Sequence, residues 1–298
     1  MSNSQPLIAD IKIRPEVKAF FDRETETFSY VVKDPDSRSC AIVDCVTNLE
    51  YASGTISHEG ADEIIAWIRD HDLVLEWIIE THVHADHLTA APYIKEKLGG
   101  KIGIGKNVTV VQKVFAGIFN TGDEFKCDGS QFDALFSDGD SYQIGSMTAH
   151  VMHTPGHTPA CMTHVIGDAA FVGDTLFMPD VGTARADFPG GDASTLFQSI
   201  GKVLSLPDET RLFMCHDYPE SREVACETTV ADEKSGNIHV HAGVTQSQFV
   251  EMRQTRDATL AMPHLILPSL QINMRAGHYP PEENNGMVYL KIPVNAFK

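Results

Sequence analysis

The run His82-Val83-His84-Ala85-Asp86-His87, set directly behind the apolar stretch Leu75-Glu76-Trp77-Ile78-Ile79-Glu80, constrains this chain more than any other feature. It packs four side chains of metal-ligating type into six residues, and the stretch before it has the length and character of a buried strand. The cluster is therefore read as a metal site at a strand's end. Imidazole suits zinc, iron and copper, and carboxylate suits harder ions. A mixed set without thiolate points to a catalytic transition-metal centre rather than a closed structural zinc.

Residues of the same type recur just past other apolar strands. Ala169-Ala-Phe-Val-Gly173 runs into Asp174, and Leu212-Phe-Met-Cys215 runs into His216. Thr154-Pro-Gly-His157-Thr-Pro159 sets a His in a tight turn between the alternating segments Met147–His153 and Cys161–Ile166. A rigid sheet aims loop residues from several strand ends at one point, which is how distant parts of a sequence build one site. Around these segments the pattern predicts a hairpin of Thr27–Val32 and Cys40–Asp44 joined by the turn-rich Asp34-Pro-Asp-Ser37. Helices are expected at Ala61–Arg69, Leu88–Leu98 (ended by Gly99-Gly100), Val108–Phe115, Ser194–Leu204 and near Gln246–Leu260, with a further strand at Lys101–Gly105.

A chain of 298 residues can bury a sizeable core. Its net charge of −18, with no long basic run, excludes nucleic acid or an anionic membrane as the expected partner, so an anionic substrate must be held by a local cationic patch. The first ten residues lack the charged and apolar regions of a secretory signal, and no stretch is apolar enough to span a bilayer, so a cytoplasmic protein is expected. The six cysteines are scattered without a paired motif and are read as buried free thiols. Residues 231–245 are polar and read as an exposed excursion. The tail from Pro263 carries five prolines and cannot be a long helix. It is expected to wrap over the body, anchored by burial of Leu265-Ile-Leu267 and Val288-Tyr-Leu-Lys-Ile292.

In ligand type, order and spacing, the His82–His87 cluster, His157, Asp174 and His216-Asp217-Tyr218 resemble the metallo-β-lactamase superfamily across most of residues 25–220. The resemblance implies an α+β fold, an αββα sandwich with a metal groove along the upper edge of its two sheets. The chain is then read as a single domain, residues 1–298, with 260–298 as the wrapping segment. Within the superfamily, four segments are similar to those of the persulfide dioxygenases, the family of the ethylmalonic encephalopathy protein. They are Thr81–Thr89, Arg185-Ala-Asp-Phe188, His216-Asp-Tyr218 and the ending Leu267–Gly277 with its Asn273-Met-Arg275-Ala-Gly277. Val83 and Thr183-Ala184 depart from that family's usual Cys and Cys-Gly.

That resemblance implies one Fe(II) per chain, ligated by His82, His157 and Asp174, and oxidation of glutathione persulfide by O2. Two His and one Asp on one face of an octahedral ion leave three positions open, as in non-haem iron oxygenases. His84, Asp86, His87 and His216 then act around the metal, orienting its ligands or bound water. Glutathione carries two carboxylates, so Arg185, Tyr218, Arg222 and Arg275 are the candidate substrate-binding residues. A homodimer is implied by the resemblance alone. The alternative is a hydroxyacylglutathione hydrolase with two Zn(II), His82, His84, His157 and Asp174 on one ion and Asp86, His87, Asp174 and His216 on the other. A non-catalytic binding module on the same fold is a third reading. The remaining histidines, among them His150, His153, His164 and His239, are read as core or surface residues.

Overall fold

In this computed structural model, which describes residues 8–296, strands β1 (Glu16–Asp22), β2 (Thr27–Lys33) and β3 (Ser39–Val43) form an antiparallel ladder. The stretch read for a secretory signal lies largely outside the described residues. The β2–β3 hairpin follows the predicted pattern. β1 is an additional strand, whose Glu16 and Lys18 dilute its apolar signal. After β4 (Val46–Glu50) and β5 (Thr55–Ser57), helix α1 (Glu59–Asp70) buries Ala61, Ile64, Ile65 and Ile68 at helical spacing. β6 (Val74–Ile79) then runs parallel to β3, and its end releases the His-rich loop.

Leu88-Thr89 does not begin a helix. The pair forms β7 against β4, and α2 (Ala91–Leu98) starts only beyond it, with Pro92 in its first turn. Thr89 explains the break, because its hydroxyl accepts from the Ala91 N–H (3.0 Å) and so caps the helix from outside. β8 (Lys101–Gly105), α3 (Val108–Phe119) and β9 (Ala134–Phe136) complete the first half, α3 running four residues past its expected end.

The second half opens as a meander of β10 (Ser141–Ile144), β11 (Met147–His153), β12 (Met162–Ile166) and β13 (Ala169–Phe171). Helix α4 (Ala193–Val203), N-capped by Asp192, crosses over to β14 (Arg211–Phe213), which pairs parallel to β13. β15 (Glu227–Thr229), α5 (Val230–Gly236), α6 (Gln246–Asp257) and α7 (Ile266–Asn273) follow.

The strands order as two six-stranded sheets, β1-β2-β3-β6-β8-β9 and β10-β11-β12-β13-β14-β15, and a small three-stranded one, β5-β4-β7. Alternate residues of each strand face opposite ways, so both faces of a central strand must find cover. Phe28, Tyr30, Val32, Ala41, Val43 and Ile79 of the first sheet meet Ala149, Val151, Ile166, Phe171 and Phe213 of the second in one inter-sheet core. Val31, Cys40, Ile42 and Ile78 point the other way, onto α1, α2, α3 and α7. Val165, Ala170 and Leu212 of the second sheet pack on α4, α5 and α6. The architecture is the expected αββα sandwich, and no helix among the described residues is long and apolar enough to cross a membrane.

Two expectations fail. Residues 231–245 are no plain excursion: they contain most of α5, and Glu233, Asn237 and Val240 are buried because Asn237 spans Glu233 and the Gly182 carbonyl. In the tail, Leu265 and Ile266 are buried as expected, and α7 accommodates Pro268 in its first turn, where no helical N–H bond is lost. Val288–Ile292 does not anchor by burial, since Tyr289 is 44% and Ile292 68% exposed. The cysteines are free, four of them buried.

At the centre of the sandwich Phe171 and Phe213 stack and Tyr30 meets both edge-on, with ring centroids 5.1–5.5 Å apart. Phe171→Ala is expected to cost about 3–5 kcal/mol by leaving a cavity there. Urea denaturation monitored by circular dichroism measures it.

Candidate metal centre

The site forms where strands of both sheets end. β3 delivers Asp44, β6 delivers Glu80 through His87, the β11–β12 turn delivers His157, and β13 and β14 lead into Asp174 and His216. The two sheets are stitched together here. The Phe28 N–H donates to Cys215 O (2.7 Å), Thr27 bridges to His216, and the Met162 N–H donates to Thr81 O (2.9 Å). Close backbone approach is enforced at Gly173, with φ +51°, where a Cβ would stand 2.6 Å from Thr81 Oγ1. It is enforced again at Gly156, with φ +135°, where a Cβ would meet the Leu196 backbone at 2.3 Å.

Among the groups of ligand-type side chains that result, one holds His82, His157 and Asp174 and another His84, Asp86, His87 and His216, with Cys215 beside Asp174 and His216, and Asp44 and Glu80 beside His84. Asp174 stands between the first two groups. Its Oδ2 is 3.6 Å from His157 Nε2 and 4.0 Å from His82 Nε2, while its Oδ1 is 3.4 Å from His216 Nε2. His82 and His157 have their far nitrogens engaged, His82 Nδ1 3.1 Å from the Thr81 hydroxyl and His157 Nδ1 donating to Arg185 O at 2.8 Å. That leaves Nε2 of each aimed inward. His82 Nε2, His84 Nδ1, His87 Nε2, His216 Nε2, Asp86 Oδ2 and Asp174 Oδ1 are all buried without a hydrogen-bond partner. The 3.0 Å approach of His216 Nε2 to Asp86 Oδ2 is an ion pair when that imidazole is protonated. Orphaned donors and acceptors of this chemistry, gathered at one point, fit a bound transition metal and fit little else.

Electrostatics follow from burial and neighbours. Burial, with His84 and His157 close by, holds His82 well below the usual histidine range, so its nitrogen is a free lone pair. Burial alone would depress His216, but Asp86 and Asp174 push it up to about 9. Burial would raise Asp86, and His216 and His87 hold it well below the usual carboxylate range instead.

Three partners of the cluster escape the sequence pattern. His84 Nε2 lies 3.0 Å from Asp44 Oδ1 and 3.5 Å from Glu80 Oε2, so these two buried carboxylates fix the ring with Nδ1 facing inward. Asp44 also accepts from the Thr81 N–H and hydroxyl, at 2.8 Å each, and its own backbone sits in the left-handed region with φ 51°. Asp44 ends an apolar strand just as Asp174 does, and that signal could have found it. Asn273, from α7, donates to His84 O (2.9 Å) and His87 O (2.7 Å) and accepts from the Thr89 N–H. The tail segment Asn273–Gly277 is thus a clamp on the His-rich loop.

A cleft of about 430 Å³ opens over Asp86, His157 and Asp174. Arg185 and Tyr218 line it. Arg185 lies over the Phe188 ring and is held bidentately by Asp187 (2.6 and 2.8 Å) and by Ala261 O. Tyr218 stacks on His216 with an interplanar angle of 11°. Arg222 and Arg275 require correction. Arg222 is spent on Asp217 and Asp180 with bonds of 2.5–2.8 Å, and Arg275 lies against Phe125 and Glu124, so neither lines the cleft. His164 is buried beside Tyr142 and His239 receives the Thr183 N–H, as core residues do.

Residues 22–216 match the model of the metallo-β-lactamase superfamily. The chain belongs to that family. A probable metallo-hydrolase of Burkholderia pseudomallei is 54% identical over 94% of this chain and 99% of its own length. Glyoxylase B2 of Dictyostelium discoideum is 46% identical over 96% and 99%. The human mitochondrial persulfide dioxygenase ETHE1 is 28% identical over 89% and 90%. The crystal structure of ETHE1 from Myxococcus xanthus superposes with a TM-score of 0.70 at 28% identity, covering 88% of this chain and all of that one. The molecule is thus an enzyme of the metallo-β-lactamase superfamily with a His/Asp metal-binding cluster.

Asp44→Ala is expected to weaken metal binding about 10–100-fold by freeing the His84 ring and the Thr81 loop. Competition against a chromophoric chelator reads this directly. Unchanged affinity would show that the ring is held without the carboxylate.

Proposed function

We propose that this enzyme is a persulfide dioxygenase, oxidising glutathione persulfide with O2 to sulfite and glutathione at a single ferrous ion held by His82, His157 and Asp174. The observation that carries the reading is the grouping of those three buried side chains, two of which form part of the floor of the cleft. The return of the tail to clamp the His-rich loop through Asn273 supports it, since the same Asn-x-Arg-x-Gly segment prompted the family resemblance. Glutathione persulfide, O2 and water give glutathione and sulfurous acid. The terminal sulfur loses four electrons, O2 gains them, and water supplies the third oxygen.

A ferrous ion bound there would supply the one-electron chemistry that lets triplet O2 react with a closed-shell sulfur donor. The chain's own residues do the rest. Asp86, ionised and in the cleft wall, is placed to accept hydrogen bonds from water or substrate entering the site. His84, His87 and His216 orient Asp86 and its neighbours, and His216 is itself fixed by Thr27 and by the Glu26 carbonyl at 3.2 Å. Arg185, braced by Asp187, holds the His157 ring through its carbonyl and presents its guanidinium stem to the cleft.

A second reading rests on Asp174, whose two oxygens face different ligand groups as a carboxylate shared by two ions would. That reading is a binuclear zinc thioesterase acting on acyl-glutathione, and the likeness to Glyoxylase B2 favours it. Anaerobic purification, metal quantification and an oxygen electrode decide between the two. One iron per chain and one O2 consumed per sulfite formed from glutathione persulfide are expected. Two zinc ions per chain, thioester hydrolysis and no O2 uptake would overturn the dioxygenase.

A further inference from the structure

The cleft is also lined by Arg253 and Arg256 of α6 and, from the β1–β2 turn, by Glu24 and Glu26. We propose that Arg256 is the carboxylate receptor of this cleft, and that the ligand it selects is a zwitterionic peptide thiol whose ammonium end meets Glu24 and Glu26. This rests on the glutathione-linked reading above and identifies what recognises the non-reacting part of that substrate.

Three arginines line the cleft, Arg185, Arg253 and Arg256. Arg185 has its charge paired bidentately with Asp187 and a further N–H on Ala261 O. Arg253 is 1% exposed and bonded to Asp257 (2.8 Å) and to Thr183 O (2.9 Å). Arg256 is exposed and makes no ion pair or side-chain hydrogen bond among the described residues. It sits three residues from Arg253 on the same helix, so the two share a face. The buried Arg253–Asp257 pair ties that face down, through Thr183 O and through the Ala186 N–H, which donates to Asp257 Oδ2 at 2.9 Å. The position of Arg256 along the cleft wall is therefore set by rigid structure while its guanidinium stays unspent, in a molecule of net charge −18.

Glu24 and Glu26 make no ion pair among the described residues either. One uncommitted guanidinium and two uncommitted carboxylates in a single cleft match a ligand carrying both signs of charge. A thiol bearing several phosphates meets only one free arginine against two carboxylates and is selected against. Glutathione has two carboxylates and one ammonium, and its glycine carboxylate is the end free to pair bidentately with an Arg.

Calorimetric binding of glutathione to the metal-loaded protein, compared with its glycine ethyl ester, tests the assignment as a double-mutant cycle with Arg256→Ala. Wild type should bind glutathione at least about tenfold more tightly than the ester, and R256A should erase the difference. N-acetylglutathione should bind wild type more weakly than glutathione, and E24Q/E26Q should close that gap. An ester preference that survives in R256A, or equal binding of acid and ester by wild type, overturns the role of Arg256. No binding of glutathione at all overturns the ligand class. These measurements involve neither O2 nor turnover, so failure of the oxygen assay and failure of this assignment are read separately.

Discussion

His82, His84, His87 and His216 each turn a ring nitrogen, and Asp86 and Asp174 a carboxylate oxygen, into one buried centre where none has a hydrogen-bond partner. Each such orphan costs about 1–3 kcal/mol when left unmet, a sum comparable to the whole stability of a domain. A folded chain tolerates that only where a cation shares the lone pairs. The outward-facing atoms of these histidines are, by contrast, engaged: His82 by Thr81, His84 by Asp44 and Glu80, His216 by Thr27 and Glu26 O. The contrast between satisfied backs and unsatisfied fronts is the signature of a metal site whose geometry is fixed before the metal arrives.

Holding that geometry is the work of the sandwich. The ligands come from both sheets, so relative movement of the sheets would pull His82 away from Asp174. Two devices prevent it, the aromatic cluster of Tyr30, Phe171 and Phe213 at mid-sandwich and the backbone bonds from Phe28 to Cys215 and from Met162 to Thr81 at the site edge. Local strain sits next to this rigid frame. Asp44 and Glu26 both adopt positive φ without being glycine, and both present a group to a site histidine, Asp44 its carboxylate to His84 and Glu26 its carbonyl to His216. Backbone held in such a region persists only where the surroundings over-determine it.

The metal-type residues were legible because each follows an apolar strand, and strand ends converge for reasons of topology alone. The sandwich itself rested on the resemblance that those residues carried. What the pattern missed obeys a different logic. Glu80 was read as the last residue of a strand, yet its burial is accounted for by Thr89 at 2.5 Å and by His84, neither of which any period reveals. Leu88-Thr89 fits a helical spacing and still forms β7, because Leu88 packs with Leu49, Leu265 and Ile272 under α7. Tertiary packing decided that segment over propensity. Arg222 and Arg275 carried the right chemistry for a substrate carboxylate, but a guanidinium already bonded to Asp180 and Asp217, or lying against Phe125, has little left to offer a ligand. Which arginine is spent is a property of the folded surface: Arg185 is paired with Asp187 and Arg253 with Asp257, whereas Arg256 has no ion pair among the described residues.

The second group of ligands links metal count to proton count. Asp44 and Glu80 crowd His84, and Asp86 and Asp174 crowd His216, so both imidazoles are pushed upward despite the burial that opposes it. The carboxylates' negative charge can be met by protons on these two imidazoles or by a second divalent ion, and an imidazole that ligates must first give up the proton on the ligating nitrogen. A second ion at His84 Nδ1 and His216 Nε2 would therefore displace any proton on those nitrogens, and at His216 that is the proton of its ion pairs with Asp86 and Asp174. Assigning these histidines to orientation and assigning one ion to the centre are consequently the same physical statement, viewed once from the side chains and once from the metal.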